Sequence, residues 1–269
     1  MKAYVTLLSN KSYLEGVLVL YRSLKAVQAQ YPLYCVLSVS VEDEVQKELE
    51  QEGIGCIRLA HAAVNGNVNP EGQGFSHWNF TFDKLQIWGL TQFEKIVFLD
   101  SDMLIIRNVD GLFEREPFSA VCADSSYPGN EGWAGGLNSG LMVIEPDKET
   151  EKQLLLCIKP VVEENQKQNR LVGDQDVVKF FISDFGQRSS LHLDEGYNIF
   201  ADHLTYYIRH LGYSLGNKTR KPIYVVHFIG KAKPWMKKTL RQYVWLLKMC
   251  LGNPYYVAAY RKYMKFLRK

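Results

Sequence analysis

Lys95-Ile96-Val97-Phe98-Leu99-Asp100-Ser101-Asp102 is the stretch on which the fold turns. A run of apolar and β-branched residues with no polar alternation reads as a strand covered on both faces, the habit of parallel sheets. It ends in two carboxylates separated by one residue, and a second apolar run, 103–106, follows at once. Acids wedged between two buried runs are not an ordinary solvated pair. In extended chain, side chains two apart project to the same side, so Asp100 and Asp102 are suited to share a divalent cation.

Working outward, short apolar segments alternate with longer amphipathic ones. Strands are predicted over 4–8, 34–39, 55–59, 95–99 and 118–122, with helices over 13–29 and 42–52. That rhythm is βαβαβ, hence an α/β fold with a mainly parallel sheet flanked by helices. Residues 61–78, rich in Gly and Asn, form a loop emerging after a strand, where open α/β sheets bind ligands. A helix is predicted over 80–92, with Leu85, Trp88 and Leu90 facing the core. Without an internal repeat or low-complexity linker, residues 1–238 read as one domain and 239–269 as a helical tail.

The chain has 269 residues, 46% of them hydrophobic, which excludes disorder and collagen-like composition. Cys35, Cys56, Cys122, Cys157 and Cys250 lie far apart and form no Cys-x-x-Cys pair, so neither a disulfide framework nor a thiolate zinc site is expected. A reducing, cytoplasmic setting fits best. No run reaches the roughly 18 apolar residues of a membrane helix, and the first ten residues read as a strand, not as a secretory signal. The net charge of +3 hides an asymmetry: all 29 acidic residues lie at or before Asp202, whereas 203–269 carry 15 of the 32 Lys and Arg and no acid. Such a segment suits an anionic partner.

Three further constellations carry chemistry. In 225–235 a short strand delivers His227, Gly230 permits close backbone approach, and Lys233 offers an ammonium to a diphosphate. In Gly173-Asp174-Gln175-Asp176, Asp174 is expected to cap a helix and Asp176 to meet its dipole, while either can still face a pocket. Gly135-Gly136-Leu137-Asn138-Ser139-Gly140 reads as a tight loop before the strand 141–144.

At these residues the sequence resembles the glycogenin-like retaining glycosyltransferases of family 8, which adopt the GT-A fold. The resemblance runs from Tyr4 to about Trp235 and rests on the order of its motifs: 5–10 with Tyr13, Lys84 with Leu85 and Trp88, 98–102, 138–140, 173–175 and 227–235. It implies a hexosyltransferase using a UDP-sugar and Mn²⁺, with Mg²⁺ as the alternative ion. Asp100, Asp102 and His227 would then be the metal ligands. Leu7, Ser9, Asn10 and Tyr13 would hold uracil and ribose, with Asp100 and Ser101 beside the ribose. Lys84, Gly230 and Lys233 would contact donor sugar or diphosphate, Asn138 the donor hexose, and Asp174 or Gln175 would sit near the reacting carbon. Carboxylates plus one imidazole independently suit Mn²⁺ better than zinc.

The family's glycogenins carry a basic residue before the Lys84 helix for which 61–78 has no counterpart. Tyr206 and Tyr207 fall loosely where those proteins glucosylate themselves, which keeps self-glucosylation as an alternative to transfer onto a glycan or lipid-linked acceptor. Aspartyl-phosphate phosphohydrolases also begin with a strand ending in Asp-x-Asp, although nearer the amino terminus. The tail reads as two helices, 239–250 and 254–269, broken at Gly252-Asn253-Pro254. In the second, Tyr256, Tyr260, Tyr263 and Leu267 share a face amid Arg261, Lys262, Lys265, Arg268 and Lys269. That pattern predicts contact with an anionic membrane, as in similar bacterial lipooligosaccharide galactosyltransferases, and no nucleic-acid role.

Overall fold

The computed structural model describes residues 1–64, 66, 68–69, 76–122, 136–216, 221–229 and 233–268. Among them are the strands β1 (Lys2–Leu8), β2 (Leu33–Leu37), β3 (Gly55–Arg58), β4 (Lys95–Leu99), β5 (Met103–Ile105), β6 (Ala120–Cys122), β7 (Leu137–Ile144), β8 (His192–Leu193), β9 (Ile199–Phe200) and β10 (Val225–His227). The helices are α1 (Leu14–Ala26), α2 (Asp43–Gln51), α3 (Lys148–Lys167), α4 (Asp174–Phe181), α5 (Leu204–His210), α6 (Leu240–Gly252) and α7 (Pro254–Leu267). The chain divides into two compact units, the first built from residues 1–11, 31–99 and 112–193, the second from 12–30, 100–111 and 194–269.

The first unit is a seven-stranded sheet in the order β3-β2-β1-β4-β7-β6-β8. β1, β2, β3 and β4 run parallel, whereas β7 is antiparallel to both β4 and β6. The unbroken burial of β1 from Ala3 to Leu8 and of β4 from Ile96 to Leu99 matches the apolar runs of the sequence. Strand order reverses between β1 and β4, and the carboxyl ends of such a pair are where open α/β sheets form a binding crevice. Val5, Trp88, Phe98, Met142 and Leu154 belong to one buried cluster, each such side chain contributing about 1.5–3 kcal/mol on removal from water.

The predicted helix over 80–92 is instead a 3-10 helix, Ser76–Gly89. Phe82, Leu85, Ile87 and Trp88 are all buried, and so are Asp83, Lys84 and Gln86. A one-sided α-helix could not bury both sets; three residues per turn and buried polar partners do so here. Asp83 accepts hydrogen bonds from Ser38 Oγ at 2.5 Å and Ala63 N at 2.8 Å, and Gln86 donates to the His61 carbonyl at 3.0 Å.

The second unit holds the sheet β5-β10-β9, in which β10 is antiparallel to β5 and parallel to β9. Ser23 of α1 accepts a hydrogen bond from Ile105 N of β5, and Arg22 donates to the Phe266 carbonyl of α7 at 3.0 Å. The tail helices start where their caps dictate. Thr239 and Gln242 form a capping box on α6, and Asn253 accepts from Tyr256 N at 2.9 Å with Pro254 in the first turn of α7. The aromatic stripe of α7 is internal, however. Tyr256, Tyr263 and Phe266 are buried, Tyr263 stacking on Trp235 and meeting Phe228 edge-on. Of the predicted stripe, Tyr256 and Tyr263 are packing surface and Tyr260 and Leu267 are half-buried, whereas the large apolar side chains the tail leaves to solvent belong to α6.

Candidate active site

Register assembles the first cluster, within the second unit. Met103 of β5 pairs with His227 of β10, and Phe228 N donates to the Asp102 carbonyl at 3.0 Å, so the residue preceding β5 and the last residue of β10 are neighbours. His227 Nε2 lies 2.9 Å from Asp102 Oδ1 and 3.7 Å from Asp100 Oδ2. One ligand atom from each of Asp100, Asp102 and His227 falls within 4.8 Å of the others. Behind the ring, Nδ1 is 2.9 Å from Asn198 Oδ1. An amide oxygen accepts the Nδ1 proton and leaves Nε2 as the nitrogen facing the carboxylates, the arrangement a metal-binding histidine requires.

Lys233 Nζ donates to Asp102 Oδ2 at 2.5 Å and to the Phe228 carbonyl at 2.8 Å, and lies 5.8 Å from the centre of the Tyr13 ring. Burial would raise the Asp102 carboxyl, but the Lys233 ammonium, His227 and their hydrogen bonds outweigh it and hold the group well below the usual carboxylate range. For Lys233 burial pulls downward and Asp102 reverses it, so the ammonium is held above its ordinary value. Burial raises the Tyr13 phenol, with Lys233 opposing.

The loop carrying Lys233 is braced at its end. Trp235 Nε1 donates to the Ser12 carbonyl at 2.7 Å, and its ring packs edge-on against Tyr13. A Cβ on Gly16 would lie 2.6 Å from the Ser101 carbonyl oxygen and 2.9 Å from the Trp235 ring. Only glycine lets α1 approach the Asp-x-Asp turn so closely.

A second cluster lies in the first unit. Lys84 Nζ is 2.8 Å from Asp174 Oδ2, both side chains less than a tenth exposed, and 4.9 Å from the Phe98 ring centre. Ser139 Oγ donates to the same Asp174 oxygen at 2.8 Å, and Ser139 N donates to Gln175 Oε1 at 3.1 Å. Asn138 Oδ1 accepts from Gly140 N at 2.9 Å, and Thr81 Oγ1 accepts from Asp174 N at 3.1 Å. Asp174 is not the helix cap. Gly173 is, and Asp176 reaches back to accept from Gly173 N at 2.9 Å. That division of labour frees the Asp174 carboxylate for Lys84. Lys84 is accordingly a buried ion-pair partner, not a solvated helix lysine.

Leu7 is buried in β1, and Ser9 and Asn10 follow its carboxyl end, where the Ser9 carbonyl accepts from Ser40 Oγ at 3.1 Å. Ser101 is buried. Gly230, Gly135 and, within 61–78, residues 65, 67 and 70–75 lie outside the described residues. Sequence reasoning missed Asn198, Ser139 as the hydroxyl on Asp174, Thr81 and Gly16. An isolated glycine inside a helical pattern was the one signal available.

Residues 4–239 match the family described as "Glycosyl transferase family 8". The chain is a member of that family. Its family 8 sequence is 33% identical over 242 residues to glycogenin-1 of Caenorhabditis elegans, covering 87% of this chain and 51% of that protein; it thus spans about half the length of that relative. Among solved structures, an active-site mutant of LgtC superposes with a TM-score of 0.63 at 16% identity, covering 94% of this chain and 96% of the other. The glycosyltransferase GlyE of Streptococcus pneumoniae TIGR4, in its apo form, superposes with a TM-score of 0.59 at 18% identity, covering 98% and 64%. These neighbours share the mixed α/β fold expected of GT-A proteins.

Proposed function

We propose that this family 8 chain is a retaining hexosyltransferase that moves glucose or galactose from its UDP-sugar to a glycan or lipid-linked acceptor with the help of Mn²⁺. The observation that carries the reading is the convergence of Asp100, Asp102 and His227, three side chains whose ligand atoms approach within 4.8 Å. Two carboxylates with one tautomer-fixed imidazole fit a hard or borderline divalent cation and lack the thiolates a structural zinc site prefers. Such an ion, held by these three residues, would supply Lewis-acid stabilisation of charge on a departing diphosphate.

The chain's own residues supply the rest. Lys233, whose ammonium Asp102 holds in the protonated form, would present a buried positive charge to the same diphosphate, in a setting where little water competes. Asn198 orients His227. Leu7, Ser9, Asn10 and Tyr13 would hold the nucleoside, as the resemblance implies, and Asn138, Asp174 and Gln175 the hexose. Lys84 and Ser139 hold the Asp174 carboxylate in one orientation. Tyr207 is buried and donates its hydroxyl to Glu195, which disfavours it as a self-glucosylation site, while Tyr206 is half-buried.

The test is UDP release from UDP-glucose and UDP-galactose, with an acceptor panel, in Mn²⁺, in Mg²⁺ and after chelation. Turnover that depends on both acceptor and divalent ion supports the proposal. Turnover indifferent to chelation, or release of inorganic phosphate without any acceptor, refutes it. Mass spectrometry of the chain itself reads out self-glucosylation.

A further inference from the structure

Both oxygens of the Asp102 carboxylate carry a partner from the protein itself. Oδ1 lies 2.9 Å from His227 Nε2, and Oδ2 accepts from Lys233 Nζ at 2.5 Å. The Lys233 and Asp102 side chains are 6% and 10% exposed, so little water screens their attraction. Among the described residues the ammonium has one further acceptor, the Phe228 carbonyl at 2.8 Å, and the Tyr13 ring centre lies 5.8 Å away.

The two oxygens are placed for different cations. Neighbouring ligands of one octahedral ion with bonds of about 2.1 Å stand about 3 Å apart, and His227 Nε2 and Asp102 Oδ1 already have that spacing. Asp100 supplies the third ligand atom within reach. Lys233 sits on the other oxygen of the same carboxylate. An ion joining His227 to Oδ1 and the ammonium on Oδ2 therefore draw on one negative charge and repel each other across it. Asp174, the other buried partner of a lysine, belongs to no such ligand cluster among the described residues, so no comparable rivalry arises there.

We infer that Lys233 is an internal counter-cation that competes with the divalent ion for Asp102, and that a diphosphate relieves the competition by taking the ammonium over. This rests on the metal and diphosphate reading proposed above and adds a regulation to it. Lys233 makes ion and nucleotide strengthen each other's binding, beyond any direct contact between the two, and linkage makes that effect reciprocal. An ammonium suits such an exchange: it is a point charge on a flexible four-carbon stem, whereas a guanidinium favours a fixed bidentate pair. A lysine that leaves Oδ2 keeps the Phe228 carbonyl, next in sequence to His227, as an acceptor beside the centre.

The experiment is calorimetric titration of the full chain with Mn²⁺, with and without UDP, for the unaltered protein and for Lys233→Gln. A lysine that merely orients Asp102 predicts weaker Mn²⁺ binding once it is removed. A competing lysine predicts the opposite sign. Without UDP the variant should bind Mn²⁺ at least about tenfold more tightly, and UDP should strengthen Mn²⁺ binding at least about tenfold less in the variant than in the unaltered chain. Unchanged or weaker Mn²⁺ binding by Lys233→Gln without UDP overturns the inference and leaves the metal centre standing. Failure of the unaltered chain to bind Mn²⁺ even with UDP overturns the metal reading itself, and the inference with it. A second measurement needs no variant, and so stands even where Lys233→Gln fails to fold. Acetylation of Lys233 by an N-hydroxysuccinimide ester, read by peptide mass spectrometry, should run severalfold faster with Mn²⁺ than without it and slow again when UDP is added. A rate indifferent to Mn²⁺ overturns the inference.

Discussion

Two buried lysine–aspartate pairs invite comparison. In the first unit Lys84 meets Asp174, with Ser139 and the Phe98 ring beside them. In the second unit Lys233 meets Asp102, but Asp100 and His227 share that carboxylate's neighbourhood. Among the described residues, the first pair sets one ammonium against one carboxylate. The second is one ammonium against two, with an imidazole whose second nitrogen is already committed to Asn198. A balanced pair orients a carboxylate; an excess of ligand atoms and negative charge accommodates a further cation. The same residue types thus serve different ends according to how many neighbours converge.

The sharpest break of this comparison is Asp102→Asn. It should lower divalent-ion-dependent UDP release by about a thousandfold or more and cost about 3–5 kcal/mol of stability by leaving the Lys233 ammonium without its counter-charge. Calorimetry and a turnover assay measure the two losses separately. Adding Lys233→Met should restore most of the stability and none of the turnover. In the balanced pair, Lys84→Met should cost about 2–4 kcal/mol, and a double-mutant cycle with Asp174→Asn should return a coupling of about 1–3 kcal/mol.

Smaller effects sharpen the supporting shell. Asn198→Ala should weaken Mn²⁺ binding about 10–100-fold with little change in unfolding midpoint, because it frees the His227 ring without removing a ligand. Gly16→Ala should destabilise by about 1–3 kcal/mol, since the added methyl meets the Ser101 carbonyl and the Trp235 ring. Tyr263 separates packing from polarity: its ring is buried and its hydroxyl has no hydrogen-bond partner among the described residues. Tyr263→Phe should therefore change stability by less than about 1 kcal/mol, whereas Tyr263→Ala should cost about 3–5 kcal/mol. Finally, burial lowers His203 from 6.5 to about 4. The folded chain then binds this proton less readily than the unfolded one, so stability is full above pH 6.5 and falls as pH drops toward 4. His203→Asn should flatten that slope by about 1 kcal/mol in acid-denaturation curves.

Much of this was legible from residues alone because it is local. The apolar runs of β1 and β4 announce buried parallel strands, Asp100 and Asp102 fall at a strand end by position, and Gly252-Asn253-Pro254 must break a helix. Other features were hidden because they depend on partners far along the chain. Asp102 and His227 are 125 residues apart, Lys84 and Asp174 90 by their numbers, and nothing near Asn198 advertises that it orients a histidine. The 3-10 course of Ser76–Gly89 depends on Ser38, His61 and Asp174 accepting or donating to side chains that periodicity alone assigns to solvent.

By itself, the sequence determined the strand–helix alternation of its first half, which motifs carry carboxylates, imidazole and ammonium groups, and that the final 67 residues hold basic side chains and no acid. Periodicity reports that a helix has an apolar face, since it counts residues per turn. It carries no information about what covers that face. Only tertiary packing decided that α7 turns its aromatics inward onto Trp235 and Phe228 while α6 leaves its leucines in water, and only strand register brought Asp102 beside His227. Burial and convergence are properties of surfaces meeting in space, and those surfaces are contributed by distant parts of the chain.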